Sequence, residues 1–177
     1  MIGLPLSHMF SAALPAADAP LVEALIAHYR VQYDVLEVPR TPPFPGVIAT
    51  LAACRAAGVA LSVATTKGQR VAEAVVTAAG LRPFMALVLG GDSVPRHKPA
   101  PDLVLRTLAE LQAAPEETLV VGDSSYDMLM AANANVRAVG VTYGAQPAAA
   151  LAAAGACRLI DAMPALLPLL GVAAGEG

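Results

Sequence analysis

The sequence predicts an α/β fold with a parallel sheet and flanking helices, on three observations. From about Pro45 onward, apolar runs of strand length alternate with segments of helical periodicity, the pattern of strand-helix-strand units. Those runs are continuously apolar rather than alternating with polar residues, as expected of strands covered on both faces. Glycine or asparagine stands where three of the helical patterns give out, supplying the left-handed conformation that ends a helix.

Taken in order, Pro45 and Gly46 precede a stripe of Val47, Leu51 and Cys54 that closes at Gly58, so a helix is expected there. A first strand is expected over Ala60 to Thr65. The next helix ends at Gly80, and a second strand covers Ala86 to Leu89. A third helix starts around Pro101 and Asp102, carries Val104, Leu105, Leu108 and Leu111 on one face, and leads through a turn at Pro115. Strands then follow at Thr118 to Gly122, Arg137 to Tyr143 and Cys157 to Ile160, with a helix before the second of these that stops at Asn135.

Residues 1 to about 38 behave differently. Pro20 to Val35 reads as one long helix preceded by a shorter one, with no strand. Thr41 to Gly46, with three prolines in six residues, forms a stiff linker. The expected organisation is a helical appendage over residues 1–40 and an α/β body over 41–177, without internal repeats.

A chain of 177 residues suits one ordinary domain. Its formal charge of −3 and lack of any basic cluster disfavour nucleic-acid binding. Cys54 and Cys157 lie in alanine-rich surroundings, as expected of buried thiols in a reducing cytoplasm rather than a disulfide framework. The most apolar stretch, Ala162 to Ala174, is too short to span a bilayer and contains Pro164 and Pro168. No basic region precedes the first apolar residues, so no signal peptide is read, and the cytoplasm is the expected location.

Three segments carry candidate chemistry. In Val120-Val121-Gly122-Asp123-Ser124-Ser125-Tyr126-Asp127 an apolar strand ends in glycine, and two carboxylates follow four residues apart. Open α/β sheets bind ligands at such strand ends. Carboxylates so spaced can converge on a magnesium ion completed by water and phosphate oxygens. Equally, Ser-x-x-Asp can form a capping box that satisfies helix amides without any metal, and the residues alone leave both readings open. In Leu61 to Lys67 the first strand ends in Thr65 and Thr66, whose hydroxyls can hold phosphate oxygens or simply cap a helix. In Lys98-Pro99-Ala100-Pro101-Asp102 a lysine sits on a proline-stiffened turn as a compact point charge. The chain has nine arginines and two lysines, and both lysines, Lys67 and Lys98, fall inside these segments. His8, His28 and His97 have no ligand spacing and read as structural or surface residues, and Gly90-Gly91-Asp92 reads as a turn.

The order of the Thr65 strand, Lys98-Pro-x-Pro-Asp and Gly-Asp123-Ser-x-x-Asp127 resembles motifs two, three and four of the haloacid dehalogenase superfamily. Phe44-Pro-Gly-Val, Lys98-Pro-Ala-Pro-Asp and Gly140-Val-Thr-Tyr-Gly are similar to its phosphoglycolate phosphatase and pyrophosphatase branch. Residues 1–38 resemble the later part of that branch's helical cap. The resemblance implies a Rossmann-like sheet and a magnesium-dependent phosphatase acting on a small phosphomonoester. Thr65 would bind the transferring phosphoryl group, and Lys98 would hold the phosphate and the nucleophile's charge. Asp123 would bind magnesium directly and Asp127 through water or outer contacts, with Thr66 and Ser124 lining the pocket.

One departure is large. Family members begin with a strand ending in Asp-x-Asp-x-Thr, which bears the nucleophile, and no Asp-x-Asp occurs in these 177 residues. The acids before Pro45, namely Asp18, Glu23, Asp34 and Glu37, lie in the helical appendage or its exit. In the family that strand is central, between the one ending at Thr65 and the one ending at Gly122. A gap is therefore expected there. Two functional readings follow: a phosphatase whose recorded sequence starts late, at an internal methionine, and is inactive as recorded; or a catalytically dead module that binds phosphate and magnesium or a partner. No glycine-rich phosphate loop supports another nucleotide-binding family.

Overall fold

The computed structural model describes residues 6–36 and 41–173. Glu37 and the side chain of Asp34 lie outside the described residues. Two helices come first, α1 (Leu6–Ala13) and α2 (Ala19–Leu36), and face each other through Phe10 and Tyr29, whose rings lie edge to face at 6.1 Å. The body then runs α3 (Val47–Ala56), β1 (Ser62–Ala64), α4 (Gln69–Ala78), β2 (Leu87–Leu89), α5 (Asp102–Leu111), β3 (Leu119–Gly122), α6 (Ser125–Asn133), β4 (Arg137–Val141), α7 (Ala148–Ala153), β5 (Arg158–Ile160) and a 3-10 segment Met163–Leu170. All the strand pairings are parallel. Each predicted strand is present, shorter than its apolar run by one or more residues. Gly58, Gly80 and Asn135 all have positive φ, at 79°, 72° and 56°.

Both faces of the strands are covered, which is why their sequences do not alternate. Val88 of β2 packs with Leu51 of α3 and Ala72 and Val76 of α4. Its neighbour Leu89 points the other way, into a cluster with Leu103, Val104 and Leu108 of α5 and Met128, Met130 and Ala131 of α6. β4 repeats the division, with Ala138 in the α5–α6 cluster and Val139 against Ile160 and Leu166.

Two expectations need correction. Leu105 is 47% exposed and does not belong to the buried stripe of α5, which is Leu103, Val104, Thr107 and Leu108. The helix is rotated so that residues one and four apart face inward, and Thr107 is accommodated because its hydroxyl donates to Leu103 O at 2.8 Å. Cys54 is buried as expected, but Cys157 is exposed. Cys157 lies just before β5, where only its backbone is used, its N–H donating to Ala138 O.

The sheet is in two parts. One holds β1 and β2, the other β3, β4 and β5 in that order. β1 and β3 are not hydrogen-bonded to each other, so each presents an unpaired edge. Thr65 N–H donates to Leu89 O, and alternation along β1 therefore turns the backbone groups of Ser62 and Ala64 away from β2. Ser62 and Ala64 wall a cavity of about 120 Å³ together with Leu119, Val120 and Val121 of β3. Val104 and Thr107 of α5 and Met130 of α6 also line it. The two half-sheets are held together by the α5–α6 layer instead of by a shared strand ladder.

Candidate active site

Lys98 bridges the two halves. Its Nζ donates to Ala64 O at 3.0 Å on the β1 side and to Asp127 Oδ1 at 2.5 Å on the α6 side. Both side chains of the ion pair are about nine-tenths buried, at 10% and 11% exposure. The turn that carries Lys98 is fixed at several points. Ala100 N–H donates to His97 O, Asn133 Nδ2 donates to Pro99 O at 2.9 Å, and Arg96 pairs with Asp102. Hydrogen bonding to Asp102 and its charge raise the Arg96 pKa above its ordinary value. The Lys98–Pro99 peptide is cis.

Asp127 has all its oxygens engaged. Oδ1 takes Lys98, and Oδ2 accepts from Ser124 N at 3.1 Å and Ser124 Oγ at 2.6 Å. Ser124 in turn caps α6 by accepting from Asp127 N, so the capping box is present and carries the lysine bridge as well. The arrangement depends on Gly122: a Cβ there would lie 2.4 Å from Asp127 Cβ.

Asp123 sits between the end of β3 and the loop after β4. Its Oδ2 accepts from Ala145 N at 2.9 Å, and its main-chain oxygen accepts from Gln146 N at 3.2 Å. The Tyr143 phenol lies close enough that Asp123's charge adds to burial, the larger cause, in raising its pKa. Tyr143 stacks edge to face on Phe44 with centroids 4.9 Å apart, which joins the proline linker to this loop. Gly144 leaves the room for Asp123, since a Cβ there would stand 2.2 Å from Asp123 Cβ. None of the roles of Gly144, Ala145 and Gln146 was read from sequence. The sequence signal at this loop is the Gly140-Val-Thr-Tyr-Gly144 run, which resembles the branch signature and by itself assigns no task.

Thr65 directly follows β1, and its Oγ1 accepts from Lys67 N at 3.2 Å. Thr66 follows it, half-buried, with its carbonyl against Gly91. Lys67 turns outward, its Nζ 5.2 Å from the ring centroid of Tyr33 on α2, within cation–π range. Asp92 belongs to the same corner, because its Oδ1 accepts from Gln69 N at 2.7 Å and so caps α4. Of the residues singled out from sequence, Lys98 and Asp127 wall the cavity between the half-sheets, whereas Thr65, Thr66, Asp123 and Ser124 do not. Ser124 is 4% exposed, with its hydroxyl directed at Asp127.

Magnesium favours one or two carboxylates, with water and phosphate oxygens filling the rest of its shell. Asp123 Oδ1 accepts no hydrogen bond from the described residues, whereas Oδ2 is taken by Ala145 N, so one oxygen of this carboxylate is open to a ligand. No cluster of three or more acidic, histidine or cysteine side chains with metal-holding geometry occurs among the described residues. That composition fits a magnesium ion held by one carboxylate with water and phosphate oxygens completing its shell, and not an all-protein cage.

Parallel half-sheets with the glycine-aspartate strand end, the buried lysine bridge and the capping box coincide with a match over residues 1–141 to the haloacid dehalogenase-like hydrolase family. The chain belongs to that family. Among its relatives, "Probable phosphatase IndB" of Dickeya dadantii is 38% identical over 164 residues, which are 90% of this chain and 71% of that protein. A phosphoglycolate phosphatase of Agrobacterium fabrum is 38% identical over 133 residues, covering 74% of this chain and 55% of that enzyme. The chain thus spans little more than half the length of the Agrobacterium relative. The crystal structure of a haloacid dehalogenase-like protein from Bacteroides fragilis superposes with a TM-score of 0.87 at 30% identity, covering 93% of this chain and 79% of that one. Among the described residues of this haloacid dehalogenase-like hydrolase, no helix is long and apolar enough to cross a membrane.

Proposed function

We propose that this chain is the phosphate- and magnesium-binding body of a phosphatase that acts on a small phosphomonoester, phosphoglycolate-like in size and charge. The observation that carries the reading is Lys98, whose ammonium is held by Ala64 O beside Thr65 and by Asp127. A point cation fixed between the end of β1 and the first turn of α6 is suited to neutralise phosphoryl oxygens, and positioning with charge neutralisation is most of what phosphoryl transfer asks of a protein. Thr65 and Lys98 contact the transferring group and Thr66 completes the phosphate surroundings, while the buried Ser124, whose N–H and hydroxyl both donate to Asp127, serves the site by holding that carboxylate. Asp123 holds magnesium and Asp127 supports it from the lysine side. The bound ion would supply charge stabilisation for the phosphoryl oxygens. The names of the Dickeya and Agrobacterium relatives support the same substrate class.

In this reading residues 1–40 form a partial helical cap and residues 41–177 the body. The protein works in the cytoplasm on a small phosphorylated molecule, without nucleic acid or membrane as partner. The 177 residues contain no Asp-x-Asp, so the chain by itself turns over no phosphomonoester. A second reading, a module that binds phosphate and magnesium without hydrolysis, is favoured by that same lack.

The deciding experiment measures phosphate release with and without chelator, using this chain and a chain extended by a strand ending in Asp-x-Asp-x-Thr. Chelator-sensitive hydrolysis by the extended chain alone is expected. Hydrolysis by the 177-residue chain would remove the missing-nucleophile reading. Magnesium and phosphate binding with no hydrolysis by either chain would establish the binding module.

A further inference from the structure

We infer that the segment Tyr143–Gln146 sets the Asp123 carboxylate for a divalent cation, with Gln146 as its positioning residue. The inference rests on the reading of Asp123 as a magnesium ligand and assigns that ligand its support. Three hydrogen bonds tie the segment down. Ala145 N–H donates to Asp123 Oδ2 at 2.9 Å, and Gln146 N–H donates to Asp123 O at 3.2 Å. The Gln146 side chain reaches on to α6, where its Oε1 accepts from Ser125 N at 2.8 Å.

Each bond has a separate consequence. The contact at Oδ2 fixes the rotation of the carboxylate about its last torsion, so Oδ1 keeps one direction. The contact at the main-chain oxygen holds the backbone of Asp123 against the loop. The bond to Ser125 anchors the loop to the first turn of the helix whose cap holds Asp127, so both acids are referred to one frame. Gly144 sets the closeness of approach, because a Cβ there would lie 2.6 Å from Asp123 Oδ2. Pro147 follows directly, and the residue before a proline is confined to extended backbone. Gln146 therefore enters its three-way junction with little freedom to lose.

Residues that orient a metal ligand typically change metal affinity about 10-fold or more when removed. The test is titration of the 177-residue chain with Mg2+ alone, following amide shifts of residues 122–127 to obtain an apparent Kd, alongside thermal unfolding. Gln146→Met keeps the length of the side chain and removes the acceptor, and an affinity loss of about 10-fold is expected. Gly144→Ala should weaken binding by a separate route, by pushing the carboxylate aside, and decides the matter if Gln146→Met does not fold. Asp123→Asn is the reference. If native binding is absent or survives Asp123→Asn unchanged, the magnesium reading falls and the inference with it. If Asp123→Asn abolishes binding while Gln146→Met and Gly144→Ala bind as tightly as the native chain, the inference alone is overturned. A lowered unfolding temperature with unchanged Kd in Gln146→Met also overturns it, since that is the mark of a purely structural contact.

Discussion

Lys98 Nζ stands 2.5 Å from Asp127 Oδ1 with both side chains about nine-tenths buried, and the same ammonium bonds the last residue of β1. The ion pair therefore adds a polar link from β1 to α6 to the α5–α6 packing that joins the half-sheets where no strand ladder does. Removing either partner leaves a buried charge with part of its compensation gone.

Lys98→Met should lower unfolding free energy at neutral pH by about 3 kcal/mol, the scale for breaking a buried pair. Asp127→Asn in the same background should cost much less than in the native chain, because residues in contact are not additive. Urea denaturation of the two single variants and the double variant measures this. Additive losses would show that the pair does not act as a unit.

Gly122→Ala should destabilise by about 2 kcal/mol, as overpacking does, because its new Cβ would lie 2.4 Å from Asp127 Cβ. Gly80→Ala meets no atom within 4 Å and should cost only about 1 kcal/mol, from its left-handed backbone. The difference should appear in denaturant midpoints. Equal losses would mean that Asp127 moves aside freely.

Stability should fall on the alkaline side. Burial first and the charge of Asp123 second raise the Tyr143 phenol above its ordinary 10.0, and burial raises the Cys54 thiol above 9.0. Groups raised in the folded state contribute stability that is complete below the unfolded pKa and is lost as pH rises through the folded one. Thermal midpoints should therefore decline above about pH 9, and less steeply in Tyr143→Phe. An unaltered slope in that variant would show that the phenol does not contribute.

Leu103→Ala should cost about 3 kcal/mol, as large-to-small changes in a core do, since Leu103 is 1% exposed. Leu105→Ala should cost less than about 0.5 kcal/mol, as surface changes do. Chemical denaturation of the pair checks which face of α5 is buried.

Strand positions and helix ends were legible because they rest on local chemistry: continuous apolar runs for β1 to β5, and positive φ at Gly58, Gly80 and Asn135. The rotation of α5 was not, because Leu105 and Leu103 are equally apolar and only tertiary packing chooses between them. Cys157 was misplaced for a related reason, since alanine-rich surroundings describe composition and not which side faces water. At the site, the capping box and the metal reading of Ser124 to Asp127 could not be separated by sequence. The structure shows the box formed, with Lys98 on its free oxygen. The loop contacts of Asp123 were beyond reach, because Ala145 is 22 residues away and bonds through its backbone, which no residue type signals.

The division of the sheet bears on how the molecule comes apart. No backbone ladder couples β1–β2 to β3–β4–β5, so the transmission of unfolding from one to the other runs through side chains: Leu89 against the α5–α6 cluster, and the Lys98 bridge. Regions joined in that way exchange their amides as separate units. Deuterium uptake under native conditions should then resolve two protection classes, one for β1, β2 and α4 and one for β3 to β5 with α6. Any ligand that grips both sides of the slot would merge them into one.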